Sequence, residues 1–134
     1  MAKSLSACAS AVDVCVTEKP NDATCVPKAQ TGCTKDFAAI DAALSKVGDA
    51  VAKSCASPVI DFADVVNAAG ADMSALAAEC TALGVSDISQ PDQYAACLER
   101  RTMCDVEDLM RLENPRADEL LALGGRILQD SFCP

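Results

Sequence analysis

Nine cysteines, Cys8, Cys15, Cys25, Cys33, Cys55, Cys80, Cys97, Cys104 and Cys133, are spread along 134 residues, and no two lie closer than seven positions. That dispersal limits the fold more than any other feature. Zinc sites and redox motifs gather cysteines as C-x-x-C, because two thiolates must reach one atom or each other. Dense but scattered cysteines read instead as a disulfide framework, which needs an oxidising compartment. The chain is therefore expected to be secreted or periplasmic, its signal peptide removed and an initiator Met added, since Met1-Ala2-Lys3-Ser4 leads straight into a helical pattern. No stretch has the length of a transmembrane helix.

A covalent framework also answers a deficit in the core. Half the residues are apolar, enough for one domain over residues 1–134, yet there are only three Phe, one Tyr and no Trp. Ala, Val and Leu must fill the interior, so helices have to approach closely or be tied.

Helical periodicity runs through the chain and strand-like alternation is nearly absent. Leu5, Cys8, Val12 and Cys15 make one apolar stripe, which Lys19-Pro20-Asn21-Asp22 ends. A loop with Cys25, Pro27 and Gly32 is expected next, followed by a helix capped by Thr34 with the seam Phe37, Ile40, Leu44, Val47 and Val51. Cys33 and Cys55 extend that seam at its two ends. After Pro58 a short helix around Phe62 runs towards Gly70. Asp72 then caps a helix with the stripe Met73, Leu76, Cys80 and Leu83, which Gly84 stops. Val85 to Gln90 reads as a polar connector. Pro91 opens a helix carrying Tyr94, Cys97, Arg101 and Cys104, with a further turn starting at Asp105, and a last helix ends at Gly124-Gly125. The expected fold is all-α: a small disulfide-stapled bundle of four to five helices.

Cys8 and Cys15 have the same seven-residue spacing as Cys97 and Cys104. Two such helices side by side predict two rungs, Cys8 with Cys104 and Cys15 with Cys97 if antiparallel, or the reverse if parallel. Cys25, Cys33, Cys55 and Cys80 are expected in the remaining bridges. Nine cysteines leave one over, and Cys133, one residue from the C-terminus, is expected to be the free or intermolecular thiol. The duller possibility is that Cys133 staples the tail to Cys25.

The absence of histidine removes Ser-His-Asp and Cys-His catalysis, His-ligated haem and H-E-x-x-H zinc. Neither G-x-x-x-x-G-K-[ST] nor G-x-G-x-x-G is present, and no calcium loop. Carboxylate pairs such as Asp61 with Asp64, or Asp105, Glu107 and Asp108, read first as helix N-terminal charge. Thiolate storage of a soft ion such as Cu(I), assisted by Met73, Met103 and Met110, lacks the i, i+4 cysteine pairs a dense store would use. No catalytic residue, metal site or cofactor is assigned, and no enzyme is expected.

The formal charge of −9 argues against nucleic acid and anionic membrane partners. The charge is segregated: all six Lys lie at or before Lys53 and all five Arg at or after Arg100. Between them Asp61, Asp64, Asp72, Glu79, Asp87 and Asp92 have no basic residue interspersed, which reads as a solvated acidic face or a surface for a partner.

The stretch from Ala77 to Leu123 carries a C-x-x-L-G turn at Cys80, then A-x-C-L at Cys97 with Cys104 seven residues on, then P-R-x-x-E-L-L from Pro115. In this it resembles a cysteine-rich all-helical module of uncharacterised exported proteins of delta-class proteobacteria, over about a third of the chain. The resemblance implies export and disulfides and transfers no functional residue.

Two functions are expected to compete. The first is a non-enzymatic exported structural or interaction module, self-assembling or bound to a protein partner in a surface or extracellular assembly. The second is a carrier of a small apolar ligand between helices, which needs an enclosed apolar pocket of roughly 300 Å³. Either way the framework predicts a strong dependence on oxidation. A native bridge in a small secreted domain contributes about 2–5 kcal/mol against a total stability of about 5–15 kcal/mol. Excess reductant is therefore expected to abolish the cooperative thermal transition seen by circular dichroism; an unchanged melting curve contradicts the framework.

Overall fold

The computed structural model describes residues 1–55, 61–67, 73–128 and 133. Among them are six helices and no strand: α1 (Ala2–Thr17), α2 (Cys25–Ser54), α3 (Phe62–Val66), α4 (Ser74–Ala82), α5 (Pro91–Glu113) and α6 (Ala117–Leu123). The chain is all-helical and disulfide-stapled, with six helices where four to five were expected. It divides into two units, one of Met1–Ala43 with Asp105–Leu128 and the other of Leu44–Cys104 with Cys133. The dividing points fall inside α2 and α5. Each unit holds two disulfides of its own.

In the first unit α1 buries Leu5, Cys8, Ala9, Val12 and Cys15, the expected stripe. The expected loop of Cys25 to Cys33 is instead the beginning of α2. Asp22 starts that helix from outside: its Oδ1 accepts the Thr24 N–H at 2.9 Å and the Thr24 hydroxyl at 2.8 Å. Those bonds, the hydroxyl first, hold the Asp22 carboxyl below its usual range. Pro27 lies in the first turn, where a missing N–H leaves no helical bond unmade. Thr34, expected as the cap, sits inside the helix with its hydroxyl donating to the Gln30 carbonyl at 2.9 Å.

This longer α2 supplies the partners of α1. Cys15 joins Cys25 with Cα atoms 5.4 Å apart, and Cys8 joins Cys33 at 4.9 Å, so the two helices run antiparallel. The expected rungs from Cys8 and Cys15 to Cys97 and Cys104 are not formed. Equal seven-residue spacing cannot choose a partner, because any helix face recurs at about that interval. Closure does choose: Cys15 and Cys25 are 10 residues apart, and short loops cost less entropy to close.

α6 packs on α1, burying Ala117, Leu120 and Leu121. Arg116 bridges the two, 3.1 Å from Asp13 and 3.0 Å from Glu119. Its hydrogen bond holds the Glu119 carboxyl below its ordinary value, and Glu119 in turn holds the Arg116 proton more firmly. The helix ends as expected, with Gly125 at φ +98°, its N–H on Ala122 O, and the Arg126 N–H on Leu121 O. Gln30 of α2 donates to the Leu123 carbonyl at 2.8 Å. Arg126 lies 5.4 Å from the centre of the Phe37 ring and 3.4 Å from Asp41.

In the second unit Asp61 caps α3, accepting the Ala63 N–H at 3.0 Å, and Phe62 meets Tyr94 of α5 with ring centres 5.4 Å apart. The expected cap Asp72, with Pro58 and Gly70, lies outside the described residues. α4 closes in a Schellman turn: Gly84 has φ +77°, its N–H bonds Thr81 O, and the Val85 N–H bonds Cys80 O. Arg100 of α5 adds a 2.7 Å bond to the Leu83 carbonyl, so a side chain from the neighbouring helix completes the cap. Val85 to Gln90 is not a polar connector, because Val85 and Ile88 are buried with Cys80, Leu83, Cys97 and Cys104. The turn itself is polar, with Asp87 accepting the Ser89 N–H at 2.8 Å. α5 continues unbroken past Asp105, and Arg101 points away from its expected stripe to pair with Glu79 at 3.1 Å.

Here Cys80 joins Cys97 and Cys104 joins Cys133, with Cα separations of 5.3 and 5.5 Å. Cys133 is thus bonded, not free, and its partner is not Cys25. It packs partly buried against the Cys80–Cys97 core, and that apolar contact offsets the entropy of ordering a chain end. Cys55, expected in a bridge, is the free thiol. The α2 seam leading to it is loosely covered, with Val47 at 39% exposure, and no second cysteine reaches it.

Two glycines test this packing in opposite directions. A Cβ on Gly124 would sit 2.6 Å from Cys8 Sγ and 3.1 Å from Cys33 Sγ, so Gly124→Ala is expected to cost about 1–3 kcal/mol in urea unfolding. Gly32, inside α2, has open space there, and Gly32→Ala is expected to stabilise by about 0.5–1 kcal/mol. Equal effects of the two substitutions contradict the packing of α6 on the disulfide.

Candidate functional site

The bonded cysteines leave little sulfur chemistry. Cys8, Cys15, Cys25, Cys33, Cys80, Cys97, Cys104 and Cys133 are all in disulfides and offer no thiolate, so a store of soft metal ions has lost its ligands. Cys55 is half-buried beyond the last turn of α2, its N–H on the Val51 carbonyl at 2.9 Å. Among the described residues no group of three or more His, Cys, Asp or Glu is arranged to hold a metal ion, and no helix is long and apolar enough to cross a membrane.

The carboxylate pairs are separated in role. Asp61 caps α3. Glu107 is fully buried, while Asp108 is exposed and lies 3.4 Å from Arg111.

One cleft of about 320 Å³ lies in the second unit. Val66, Met73, Ala77 and Ile88 line it together with Asn67, Ser74, Ser86, Asp87 and Ser89. The Ser89 N–H and hydroxyl, in that order, hold the Asp87 carboxyl below its usual range, so a carboxylate stands at this rim at neutral pH. The cleft opens to solvent and is not the enclosed apolar pocket a carrier was expected to need.

A second feature emerges from how the cations are used. All five arginines bind within the fold: Arg100 on Leu83 O, Arg101 on Glu79, Arg111 on Asp118, Arg116 on Asp13 and Glu119, and Arg126 on Asp41. Among the described residues none of the six lysines forms an ion pair or hydrogen bond through its side chain. Four of them, Lys28, Lys35, Lys46 and Lys53, are on α2, at successive intervals of 7, 11 and 7 residues. Lys28 and Lys35 belong to the first unit and Lys46 and Lys53 to the second; at about 100° per residue a step of seven returns to within about 20° of one line, so each pair shares a helix face. All four are exposed, as are Gly32, Ala39, Ala42 and Ala50 between them, and Asp49 lies to one side.

Sequence reasoning missed these pairs although the spacing was there to find. With α2 expected to begin at Thr34, Lys28 fell in a loop and its helical step to Lys35 was lost. No family model, curated protein or solved structure matches this chain.

The thiol assignment is directly measurable. Titration of the unreduced native chain with a thiol reagent is expected to give one equivalent, mapped to Cys55 and absent in Cys55→Ser. A label on Cys133 contradicts the pairing.

Proposed function

We propose that this chain is a disulfide-stapled, non-enzymatic interaction module of an exported assembly, and that the exposed lysines of α2 belong to its contact surface. The observation that carries the reading is the division of labour among cations: arginines are spent on the fold, while the four exposed lysines of α2 make no ion pair or hydrogen bond through their side chains, Lys28 acting on the fold only as a charge near Asp22. An exposed ammonium does little for folding on its own, whereas a row of them steers and orients an acidic partner. The disulfides support the rest. They support the reading of a chain that works in an oxidising compartment, and they hold helices whose core side chains are small.

A second reading, a carrier for a small apolar ligand, has the cleft beside Met73 and Ile88 in its favour. Its opening to solvent suits that role less well.

One experiment bears on both. Amine acetylation is compared between the purified chain and the chain in its native extract, with Lys3 and Lys19 as internal references. Lys28, Lys35, Lys46 and Lys53 are expected to be protected in the native extract alone. If all four react there as fast as the references, the contact surface is elsewhere. Native mass spectrometry of the same material shows a small-molecule adduct only under the carrier reading.

A further inference from the structure

We infer that α6 is a redox-gated cover: small thiols reach the bond between Cys8 and Cys33 only when α6 lifts, and α6 docks fully only while that bond is intact. The device does not depend on what the module binds, and all its parts lie in the first unit. Cys8 and Cys33 are each 1% exposed. A pair of helices leaves the bond between them open on one side, and here α6, packed on α1, closes it. Gly124, the C-cap of α6, lies so near that a Cβ there would be 2.6 Å from Cys8 Sγ and 3.1 Å from Cys33 Sγ. The companion bond of the same helix pair is easier to reach, because Cys25, at the start of α2, is only half-buried.

The cover is built to open before the rest of the unit. α6 has seven residues, too few for a helix to persist in water without its neighbours, and it buries only Ala117, Leu120 and Leu121. Its polar ties sit at its two ends: Arg116 with Asp13 of α1 at 3.1 Å, and Gln30 of α2 donating to the Leu123 carbonyl at 2.8 Å. Both are at the surface, where such ties hold weakly, so α6 opens locally at lower cost than the whole unit unfolds. The dependence runs the other way too. Two separate thiols need more room than a bonded pair, and Gly124 leaves none on its side. Whatever the bond adds to the docking of α6, docking adds equally to the bond.

The reductant is a small dithiol such as dithiothreitol. One of its thiolates attacks Sγ of Cys8 or Cys33, forming a mixed disulfide and releasing the other cysteine as a thiolate. Its second thiolate then attacks the reagent's own sulfur in the mixed disulfide, which releases the second cysteine and closes the reagent into a cyclic disulfide. Two electrons pass from reagent to bond. The first attack needs access to a cysteine sulfur, and docked α6 denies it.

Timed reduction of the full oxidised chain tests this. Samples in dithiothreitol are quenched with iodoacetamide at intervals, and each bond is followed by peptide mass spectrometry. Cys15–Cys25 is expected to open first and Cys8–Cys33 after it. The variant Gln30→Ala, Arg116→Gln removes both ties and touches no sulfur. It is expected to speed reduction of Cys8–Cys33 at least about threefold, with the rate at Cys80–Cys97 in the other unit unchanged. If circular dichroism shows that variant unfolded, Gln30→Ala alone replaces it with the same direction expected. In the reverse test, Cys8→Ser, Cys33→Ser is expected to quicken amide hydrogen exchange in α6 at least about fivefold beyond any change in α4. Cys8–Cys33 opening as early as Cys15–Cys25, all four bonds vanishing together, or a variant that speeds Cys80–Cys97 as much as Cys8–Cys33 each overturn the proposal. So does exchange in α6 that the loss of the bond leaves as slow as in wild type.

Discussion

The pairing of α1 with the first turns of α2 is the constraint on which the first unit rests. Two bonds, Cys15 to Cys25 and Cys8 to Cys33, hold the helices antiparallel across a short connection. The sulfurs are also packing surface: α6 ends with Gly124 lying against Cys8 and Cys33, where no larger residue fits. A core of Leu, Val, Ala and Cys has little bulk to lock its own geometry, and covalent ties supply the definition that large aromatics would otherwise give. The second unit repeats the device, with Cys80 to Cys97 at the centre of its core and Cys133 tied to Cys104 beside it.

Polar groups do the finishing. α4 and α6 both end in a glycine of positive φ with the same two backbone bonds. In each case a side chain from another helix, Arg100 or Gln30, takes a further terminal carbonyl. The arginines suit this work because a planar guanidinium can satisfy two acceptors in fixed directions, as Arg116 does between Asp13 and Glu119. Lysine, a compact charge on a flexible stem, is left to the surface.

That division supports the proposed reading of the chain as an interaction module more than the cleft supports a carrier. An open cleft with a carboxylate among its lining is a common surface feature, whereas Lys28 with Lys35, and Lys46 with Lys53, each pair on one helix face of an acidic protein, would give the proposed contact both position and sign.

The sequence alone determined that this chain would be helical, tied by sulfur and free of histidine chemistry, because these follow from local periodicity, cysteine dispersal and composition. Helix ends with a local mark were also legible, at Pro91, Gly84 and Gly124-Gly125. The pairing of the cysteines was decided only by the tertiary structure, because a seven-residue interval is common to every helix face and carries no partner information. Pro27 misled for a related reason: a proline that breaks a helix interior is harmless in a first turn, and only the fold says which turn it occupies. Once α2 began at Cys25, Cys33 came within reach of Cys8, Lys28 came onto the helix face of Lys35, and Thr34 became an interior residue. The fates of Cys55 and Cys133 were set by which apolar surfaces closed around them, a property of neighbours distant in the chain.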